Sequence, residues 1–333
     1  MADLSTTYLG LKLANPLVPS ASPLSRDLDD ARRLEDAGAP ALVMYSLFEE
    51  EVRAEEEQAA RFLHHQDIGH AEADSFLPMP ARYSSRLDDY MNQLQALKAS
   101  LDIPIIASLN GVSMNGWVDH GRELQEAGAD ALELNVYYVA ADPKESGGEV
   151  EKRYLDLLRE LKQHVTIPIT MKLSDQFSSL SRMVSELEAA GADGVALFNR
   201  FYQPDIDLDT LLVMPALDLS TPAEALLRIR WVAILHGQVK LSLAVTGGIH
   251  GAPEVLKSML AGADVTHLCS VLLRHGPEHI GVILKDLQHW LEENEYDSLA
   301  QLKGSLSRRH APDPAAYERA NYLSVLHSYL EKS

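Results

Sequence analysis

The sequence predicts an α/β protein built as a single (β/α)8 barrel. The tetrapeptide Ala-Gly-Ala-Asp, or its near copy Ala-Gly-Ala-Pro, begins at Ala37, Ala127, Ala190 and Ala261. Each copy follows a charged helical stretch and precedes a short apolar run, as at a helix-to-strand connection. Each interval between copies has room for about two βα units. The 333 residues are enough for eight such units with insertions.

Eight short apolar runs bounded by turn signals are the predicted barrel strands. They show little apolar–polar alternation, as expected when helices cover one face of a parallel sheet and the barrel core fills the other. In chain order they are Leu17–Ser22, Ala41–Ser46, Ile103–Asn110, Ala131–Tyr138, Pro168–Leu173, Gly194–Asn199, Ser242–Ile249 and Val265–Ser270.

Helical patterns separate these strands. Apolar residues recur at helical spacing in Leu28–Asp36, Trp117–Glu126, Val150–Gln163, Leu180–Ala189, Pro222–Leu235 and Ala252–Leu260. We expect the glycines of the repeat to end these helices.

Two segments exceed the minimal barrel. Residues 47–101 are far longer than a normal βα connection and predict a helix-containing lid. Residues 288–333 predict a helical extension that packs on the barrel or on a neighbouring subunit. Both belong to one domain, residues 1–333.

Composition narrows the class of partner. The formal net charge is −20, and because nucleic acids and anionic membranes bind chiefly Lys and Arg, we expect neither as a partner. No apolar run reaches the ~18 residues of a membrane span, and residues 1–8 lack a signal-peptide pattern, so we predict a cytoplasmic protein. Cys269 is the only cysteine, which excludes internal disulfides and a cysteine-ligated iron–sulfur cluster held by this chain alone. We expect a small-molecule substrate and a homodimer.

Polar residues at the ends of the apolar strands are the candidate site, because barrel active sites lie at the C-terminal ends of strands. A turn or helix cap explains Asn110 adequately, since Gly111 follows it. The set is Ser20, Ser22, Ser46, Asn110, Asn135, Tyr138, Lys172, Asn199, Gly247, Gly248 and Ser270.

Asn135 and Lys172 lie among apolar neighbours, where an unpartnered amide or ammonium costs several kcal/mol. Glu133 shares the inward face with Asn135, and Lys172 comes from the next strand. A purely structural Glu133–Lys172 ion pair is one explanation, and a ligand that meets both strands is the other.

The run Val245-Thr246-Gly247-Gly248-Ile249 and the pair Cys269-Ser270 end the seventh and eighth strands. Glycines allow backbone amides to approach an anion, and these two loops form the usual phosphate site of barrels. The sequence therefore predicts a phosphorylated cofactor or substrate here, against the alternative of a simple tight turn.

With these residues in place, the chain resembles the dihydroorotate dehydrogenase family of FMN-dependent barrels. The resemblance rests on Asn15-Pro16-Leu17, Ser20-Ala21-Ser22, Glu133-Leu134-Asn135, Met171-Lys172-Leu173, Phe198-Asn199, Thr246-Gly247-Gly248-Ile249 and Cys269-Ser270. It implies that FMN is bound by Ser20, Ala21, Ser22, Ser46, Asn110, Lys172, Gly247, Gly248, Cys269 and Ser270. It further implies that Asn135 and Asn199 face the substrate, and that dihydroorotate is oxidised to orotate by proton abstraction and hydride transfer to the flavin.

The substrate side departs from the family pattern. The family's catalytic cysteine or serine lies three residues after the asparagine of Glu-Leu-Asn, and Tyr138 occupies that place. A phenol with an ordinary pKa near ~10 needs help to act as a base, so Tyr138 is either the base or an aromatic plug. Tyr45 replaces a family lysine after the second strand, where it would contact substrate. The segment Ser75–Pro80 lacks the family's asparagine-rich substrate loop.

These departures leave alternatives open. They are a flavin oxidoreductase acting on another cyclic amide or ene substrate, a flavin-binding protein without turnover, and a phosphate-ester barrel enzyme without flavin. No metal is expected, because the ligand-type residues of the long insertion have no spacing typical of a metal site. These residues are His64, His65, Asp67, His70, Glu72 and Asp74.

Overall fold

The computed structural model describes residues 1–55, 57, 85–111, 117–318, 322 and 325–328. Its strands are β1 (Thr6–Tyr8), β2 (Leu11–Leu13), β3 (Leu17–Pro19), β4 (Leu42–Phe48), β5 (Ile105–Asn110), β6 (Ala131–Asn135), β7 (Ile169–Leu173), β8 (Gly194–Leu197), β9 (Pro204–Asp207), β10 (Leu212–Pro215), β11 (Ser242–Thr246) and β12 (Val265–Leu268).

Eight of these strands form one parallel sheet in the order β3-β12-β11-β8-β7-β6-β5-β4. Going round the sheet follows chain order, and the end strands β3 and β4 lie side by side, so the sheet is a nearly closed barrel. The predicted (β/α)8 fold is therefore confirmed. Several strands end earlier than predicted, β6 at Asn135 and β12 at Leu268, because their last polar residues already belong to the rim loops.

The helices are α1 (Leu28–Asp36), α2 (Arg86–Ser100), α3 (Trp117–Glu126), α4 (Gly147–His164), α5 (Leu180–Ala189), α6 (Ala225–Leu235), α7 (Ala252–Ala261), α8 (Ser270–His275), α9 (His279–Glu293) and α10 (Leu299–Leu302). The predicted bounds of α1, α3 and α5 are confirmed at both ends. Short 3₁₀ turns occupy Pro23–Arg26, Pro222–Glu224 and Pro314–Tyr317.

The glycines of the repeat end their helices as predicted. Gly38, Gly128, Gly191 and Gly262 all have φ between 101° and 114°, a left-handed conformation that suits glycine.

The aspartate of the repeat has a role that the sequence did not indicate. The Asp193 carboxylate accepts a hydrogen bond from the backbone N–H of Ile169, the first residue of β7, at 2.8 Å. Asp130 accepts in the same way from the N–H of Ile105, the first residue of β5, at 2.7 Å. Each aspartate thus satisfies a strand N–H at the bottom of the barrel and fixes the alignment of two adjacent strands.

A small hairpin that the sequence analysis missed closes the bottom of the barrel. Strands β1 and β2 pair antiparallel, and Tyr8 and Leu13 are buried there. They pack with inward-facing small and branched residues of the barrel strands, such as Val43 and Ala196, in a core separate from the one between strands and helices. The barrel interior is therefore a packed core below the polar rim.

The last part of the predicted lid segment, helix α2, packs against the barrel sheet. Helix α2 begins with a capping box formed by Ser85 and Asp88, and it buries Tyr90, Leu94 and Leu97 against the sheet. Residues 49–55 are helical, and much of the remaining insertion, including Ser75–Pro80 and the His64–Asp74 cluster, lies outside the described residues. In the part of the chain that the structure describes, no helix is both long and apolar enough to cross a membrane.

Candidate active site

Asn110, Asn135 and Lys172 lie at one level of the barrel mouth. The strand register pairs Asn110 of β5 with Asn135 of β6, and Asn135 with Lys172 of β7. All three are buried, with 6–7% exposure. Because they lie at the ends of three consecutive strands on the inward face, their amide and ammonium groups form a polar floor at the mouth.

A second polar layer lies one step deeper. Glu133 is paired in register with Ser108 on one side and Thr170 on the other. The Lys172 ammonium donates a hydrogen bond to Glu133 Oε1 at 3.2 Å, and this carboxylate is fully buried. The predicted ion pair is therefore present. It compensates for part of the cost of burying two charges.

Ser46 joins this deeper layer. Its hydroxyl lies 2.9 Å from the Ser108 hydroxyl, and Ser108 Oγ lies 3.5 Å from Glu133 Oε1. Ser46 is thus connected to the Glu133–Lys172 pair through one hydroxyl group.

His267 of β12 is a buried ionisable residue that the sequence analysis missed. Its ring is fully enclosed, and Nδ1 lies 3.8 Å from Glu133 Oε2. Among the described residues, no hydrogen-bond partner meets either ring nitrogen or Glu133 Oε2. Burial lowers the pKa of His267 to about 4, against the attraction of Glu133, so the ring is neutral at physiological pH.

Asn199 lies across the mouth from Asn135. Its side-chain amide donates to Asn135 Oδ1 at 2.8 Å, although β7 lies between their strands. Two residues further along each segment, the rings of Tyr137 and Phe201 pack with centroids 4.0 Å apart. The structure thus brings together the two asparagines that were predicted to face a substrate, and places an aromatic pair beside them.

A turn formed by Gly247 and Gly248 directly follows β11, the neighbour of β12 in the barrel, and we call it the glycine edge. Gly247 and Gly248 have φ of 94° and 82°, and a Cβ on Gly248 would lie 2.4 Å from the backbone nitrogen of Ala225. Only glycine fits there, because the turn lies directly against the start of α6. The buried Arg228 of α6 donates from Nε to Thr246 O at 3.1 Å and thereby supports the turn.

Ser270 lies beside this turn with two further polar residues. The Ser220 hydroxyl lies 2.9 Å from Ser270 Oγ and 3.1 Å from His250 Nε2. The Ser220 backbone N–H also donates to Ser270 Oγ at 3.0 Å. Ser220, Arg228 and His250 were not predicted as site residues, since they lie in connections and helices rather than at strand ends.

Tyr138 points its hydroxyl at a carboxylate. The phenol donates to Glu145 Oε2 at 2.5 Å, and the Arg153 guanidinium lies 4.2 Å from the centre of the phenol ring. Arg153 also forms an ion pair with Glu145. The hydrogen bond to Glu145 raises the pKa of Tyr138, so this arrangement keeps the phenol protonated and disfavours its action as a base.

The remaining predicted residues belong to the ends of β3, β4 and β12. Ser20 and Ser22 are buried, and Ala21 between them packs against the barrel-interior core. The ring centre of Tyr45 lies 4.5 Å from the guanidinium carbon of Arg26, and burial raises the pKa of the Tyr45 phenol. Burial likewise raises the pKa of the Cys269 thiol. Neither group is therefore prepared to lose its proton near neutral pH.

The donor set at the mouth matches the chemistry of FMN. An isoalloxazine ring offers carbonyl and ring-nitrogen acceptors, which Lys172 and the amides of Asn110 and Asn135 can meet. A phosphate needs backbone N–H groups and hydroxyl donors, which the Gly247–Gly248 turn and Ser270 can supply. The residues present therefore fit this cofactor, and they define the class of the protein as a barrel with an amide- and ammonium-lined mouth next to a glycine turn.

Comparison with known proteins identifies the family. Residues 82–291 match the family model described as dihydroorotate dehydrogenase. Because that match covers more than half of the chain, the protein belongs to the dihydroorotate dehydrogenase family, and it is an oxidoreductase of the type that acts on CH–CH groups.

Individual relatives agree with this assignment. The catalytic subunit of dihydroorotate dehydrogenase B (NAD(+)) from Shouchella clausii is 29% identical over 226 residues, which are 66% of this chain and 70% of the relative. The protein of the same name from Halalkalibacterium halodurans is 30% identical over 220 residues, 64% of this chain and 71% of the relative. The NAD-dependent dihydropyrimidine dehydrogenase subunit PreA of Escherichia coli K12 is 24% identical over 331 residues, 93% of this chain and 78% of the relative.

Proposed function

We propose that this protein is an FMN-dependent oxidoreductase that interconverts a CH–CH bond and a C=C bond in a cyclic amide. The observation that carries the proposal is the alignment of Asn110, Asn135 and Lys172 at one level of the mouth, next to the Gly247–Gly248 edge. The bound FMN would supply the hydride acceptor or donor. Lys172 would place positive charge beside the ring, where it favours the reduced, anionic form.

The amide bridge between Asn135 and Asn199 supports a cyclic amide as the substrate class. Each side chain carries both a donor and an acceptor, and a ring with N–H and C=O groups can replace the contact of 2.8 Å that they make with each other. The nearby Tyr137 and Phe201 rings offer a flat apolar surface for such a planar ring.

We favour an uncharged dihydropyrimidine over dihydroorotate. A substrate carboxylate needs a cation of its own. Lys172 is assigned to the flavin ring, and Arg153 and Arg200 already face Glu145 and Glu224 of this chain. Tyr45 stands where the resemblance leads us to expect a lysine. Dihydroorotate remains the second candidate, because the family model and the relatives from Shouchella clausii and Halalkalibacterium halodurans carry that name.

Tyr138 would act as the proton donor when the C=C bond is reduced. Its hydroxyl is held protonated by Glu145, and a neutral phenol is better suited to giving a proton to carbon than to taking one. In the reverse direction the phenol would pass its proton to the Glu145 carboxylate as it takes the substrate C–H proton. The Tyr138–Glu145 pair, rather than a free phenolate, would then serve as the base.

Electrons would pass to or from a separate carrier. Cys269 is the only cysteine, so this chain cannot by itself ligate an iron–sulfur cluster through cysteines. The relatives from Shouchella clausii, Halalkalibacterium halodurans and Escherichia coli are named as subunits. We therefore propose either a partner subunit or a diffusible nicotinamide as the electron carrier.

Anaerobic flavin spectroscopy tests the proposal. Protein loaded with FMN is mixed with dihydrouracil or dihydroorotate, and bleaching of the flavin absorbance is followed in a stopped-flow instrument. We expect bleaching with dihydrouracil to be faster than with dihydroorotate by about tenfold or more, the factor that ~1.4 kcal/mol of lost carboxylate pairing gives. Failure of the protein to bind FMN would refute the cofactor assignment, whereas bound FMN that neither compound reduces would refute only the choice of substrate. Faster bleaching by dihydroorotate would support the second candidate.

A further inference from the structure

Two unpartnered polar atoms lie side by side in the deeper polar layer. Glu133 Oε1 accepts a hydrogen bond from the Lys172 ammonium at 3.2 Å, whereas Glu133 Oε2 lies 3.8 Å from His267 Nδ1. In the part of the chain that the structure describes, neither Oε2 nor Nδ1 has a hydrogen-bond partner. A buried polar atom without a partner costs free energy, so the presence of a histidine opposite this carboxylate needs a physical reason.

The contact between His267 and Glu133 crosses the barrel interior. Their strands, β12 and β6, are separated by β11, β8 and β7 in the eight-stranded order and therefore lie on opposite sides of the barrel. Both residues are fully buried, and Lys172 lies on β7, the neighbour of β6. The three side chains thus form a line from one wall of the barrel, through its interior, to the ammonium at the mouth.

Packing fixes the orientation of the His267 ring. The ring meets that of Tyr8 edge to face, with a centroid distance of 5.9 Å and an interplanar angle of 89°. Tyr8 is itself held in place, since its hydroxyl donates to Thr170 Oγ1 at 3.3 Å. The charge of Glu133 then favours one tautomer of the neutral imidazole. An N–H on Nδ1 directs positive potential toward Oε2, whereas a lone pair on Nδ1 would face the negative charge.

We propose that His267 is a positioning residue for Lys172 and that it acts through Glu133. The Nδ1–H dipole of His267 attracts Oε2 and keeps the carboxylate from turning both of its oxygens toward the ammonium. An ammonium has three donors, and among the hydrogen bonds of the described residues Lys172 makes one, to Glu133. The arrangement therefore leaves donors of Lys172 for a ligand at the mouth.

Space filling alone explains the histidine less well. Leucine or methionine would fill a similar volume without burying two ring nitrogens that have no partner among the described residues. A directional N–H opposite a buried carboxylate is a feature that an apolar side chain cannot supply.

The consequence for the cofactor rests on the proposed function. If Lys172 stabilises the reduced, anionic flavin, a side chain that keeps its ammonium at the mouth raises the midpoint potential of bound FMN. Without His267, Glu133 would pair more closely with Lys172, and reduced FMN would bind more weakly relative to oxidised FMN.

Nuclear magnetic resonance of the ring nitrogens tests the contact independently of any cofactor. In full-length protein labelled with ¹⁵N-histidine, a long-range ¹H–¹⁵N spectrum at neutral pH shows which nitrogen of each ring carries the proton. The chain has 13 histidines, and the signal that is missing in His267→Leu assigns His267. We expect the proton on Nδ1, and a proton on Nε2 would overturn the proposal.

The midpoint potential of bound FMN tests the effect on Lys172. We expect His267→Leu to weaken the binding of reduced relative to oxidised FMN about tenfold, which lowers a two-electron potential by about 30 mV. In a chain that carries Glu133→Gln, adding His267→Leu should change this ratio less than about threefold, because the charge through which His267 acts is gone. His267→Asn should stay near the wild-type potential, because its amide nitrogen can donate from a position close to that of Nδ1.

Thr266→Val is the matched control. Thr266 is the neighbouring buried residue of β12, and its hydroxyl donates to Pro16 O rather than into the polar layer. The potential of this variant should equal that of wild type.

Two results of the potential measurements would overturn the proposal. One is an unchanged or raised potential in His267→Leu, and the other is an equal lowering with and without Glu133→Gln, which would show a general loosening of the barrel. Circular dichroism checks that each variant is folded, and His267→Met, which also lacks a donor and packs flexibly, replaces a leucine variant that does not fold. Failure to bind FMN would refute the proposed function, and the tautomer of His267 would then decide the proposal by itself.

Discussion

His267 makes the stability of this protein depend on pH in a way that one substitution isolates. Its ring is fully buried without a hydrogen-bond partner among the described residues. Burial lowers its pKa from 6.5 to about 4. The unfolded chain therefore binds a proton at this residue near pH 6.5, whereas the folded chain does so only near pH 4.

The sign and size of the pH effect on stability follow from this difference in the pKa of His267 between the folded and unfolded chain. Between pH 6.5 and about 4 the unfolded state binds more protons, so the free energy of unfolding falls as the pH falls. The stability contribution is fully present above pH 6.5, is lost through this range, and changes no further below about pH 4. The change in the pKa of His267 from 6.5 to about 4 corresponds to ~3 kcal/mol in the free energy of unfolding, at about 1.36 kcal/mol per unit of pKa.

Urea unfolding at a series of pH values, in wild type and in His267→Leu, measures this contribution. Leucine fills a similar volume and does not titrate, so the variant should lose ~3 kcal/mol less stability than wild type between about pH 7 and pH 4. Carboxylates distant from His267 that titrate in the same range are common to both proteins and cancel in the comparison. His289→Leu, at an exposed position on α9, is the matched control and should parallel wild type. Parallel curves for wild type and His267→Leu would refute the reasoning.

Three further predictions concern the candidate site and the barrel wall. Lys172→Ala leaves the buried carboxylate of Glu133 unpaired and should lower the free energy of unfolding, measured by urea titration, by about 3–5 kcal/mol. Adding Glu133→Gln to that variant should recover most of the loss, and a loss that the second substitution does not reduce would contradict the ion pair. Tyr138→Phe should slow the reduction of a C=C substrate by ~10²-fold or more when the protein carries reduced FMN, and it should leave FMN affinity unchanged. A rate within about threefold of wild type would exclude the proton-donor role. Asp193→Ala removes the carboxylate that accepts from the backbone N–H of Ile169, and it should lower the free energy of unfolding by about 1–3 kcal/mol without changing FMN affinity. An unchanged melting temperature would show that water satisfies this N–H.

The barrel was predictable because its signals are local. The helix bounds of Leu28–Asp36 and Leu180–Ala189 follow from apolar residues at helical spacing that end at the glycine of the repeat. The inward position of Glu133 and Asn135 follows from strand parity alone. For the same reason the ion pair with Lys172 could be anticipated, since the two strands are consecutive.

Contacts between distant segments could not be predicted in this way. His267 lies in the short strand Val265–Leu268, where its ionisable side chain is a local signal, but the chain offers no local indication of its partner. Its proximity to Glu133 depends on how far the strands are staggered around the barrel. The same holds for Glu145, which a loop brings back onto Tyr138, and for Ser220, which returns to Ser270 after strands β9 and β10.

The fold class, the strand ends that carry Asn110, Asn135 and Lys172, and the glycine turn were therefore predictable, because periodicity, parity and turn chemistry act between residues close in the chain. Which side chains meet across the barrel depends on the tertiary structure. It placed His267 beside Glu133 and turned the Tyr138 hydroxyl onto Glu145. These arrangements depend on barrel closure and stagger, which no local pattern encodes.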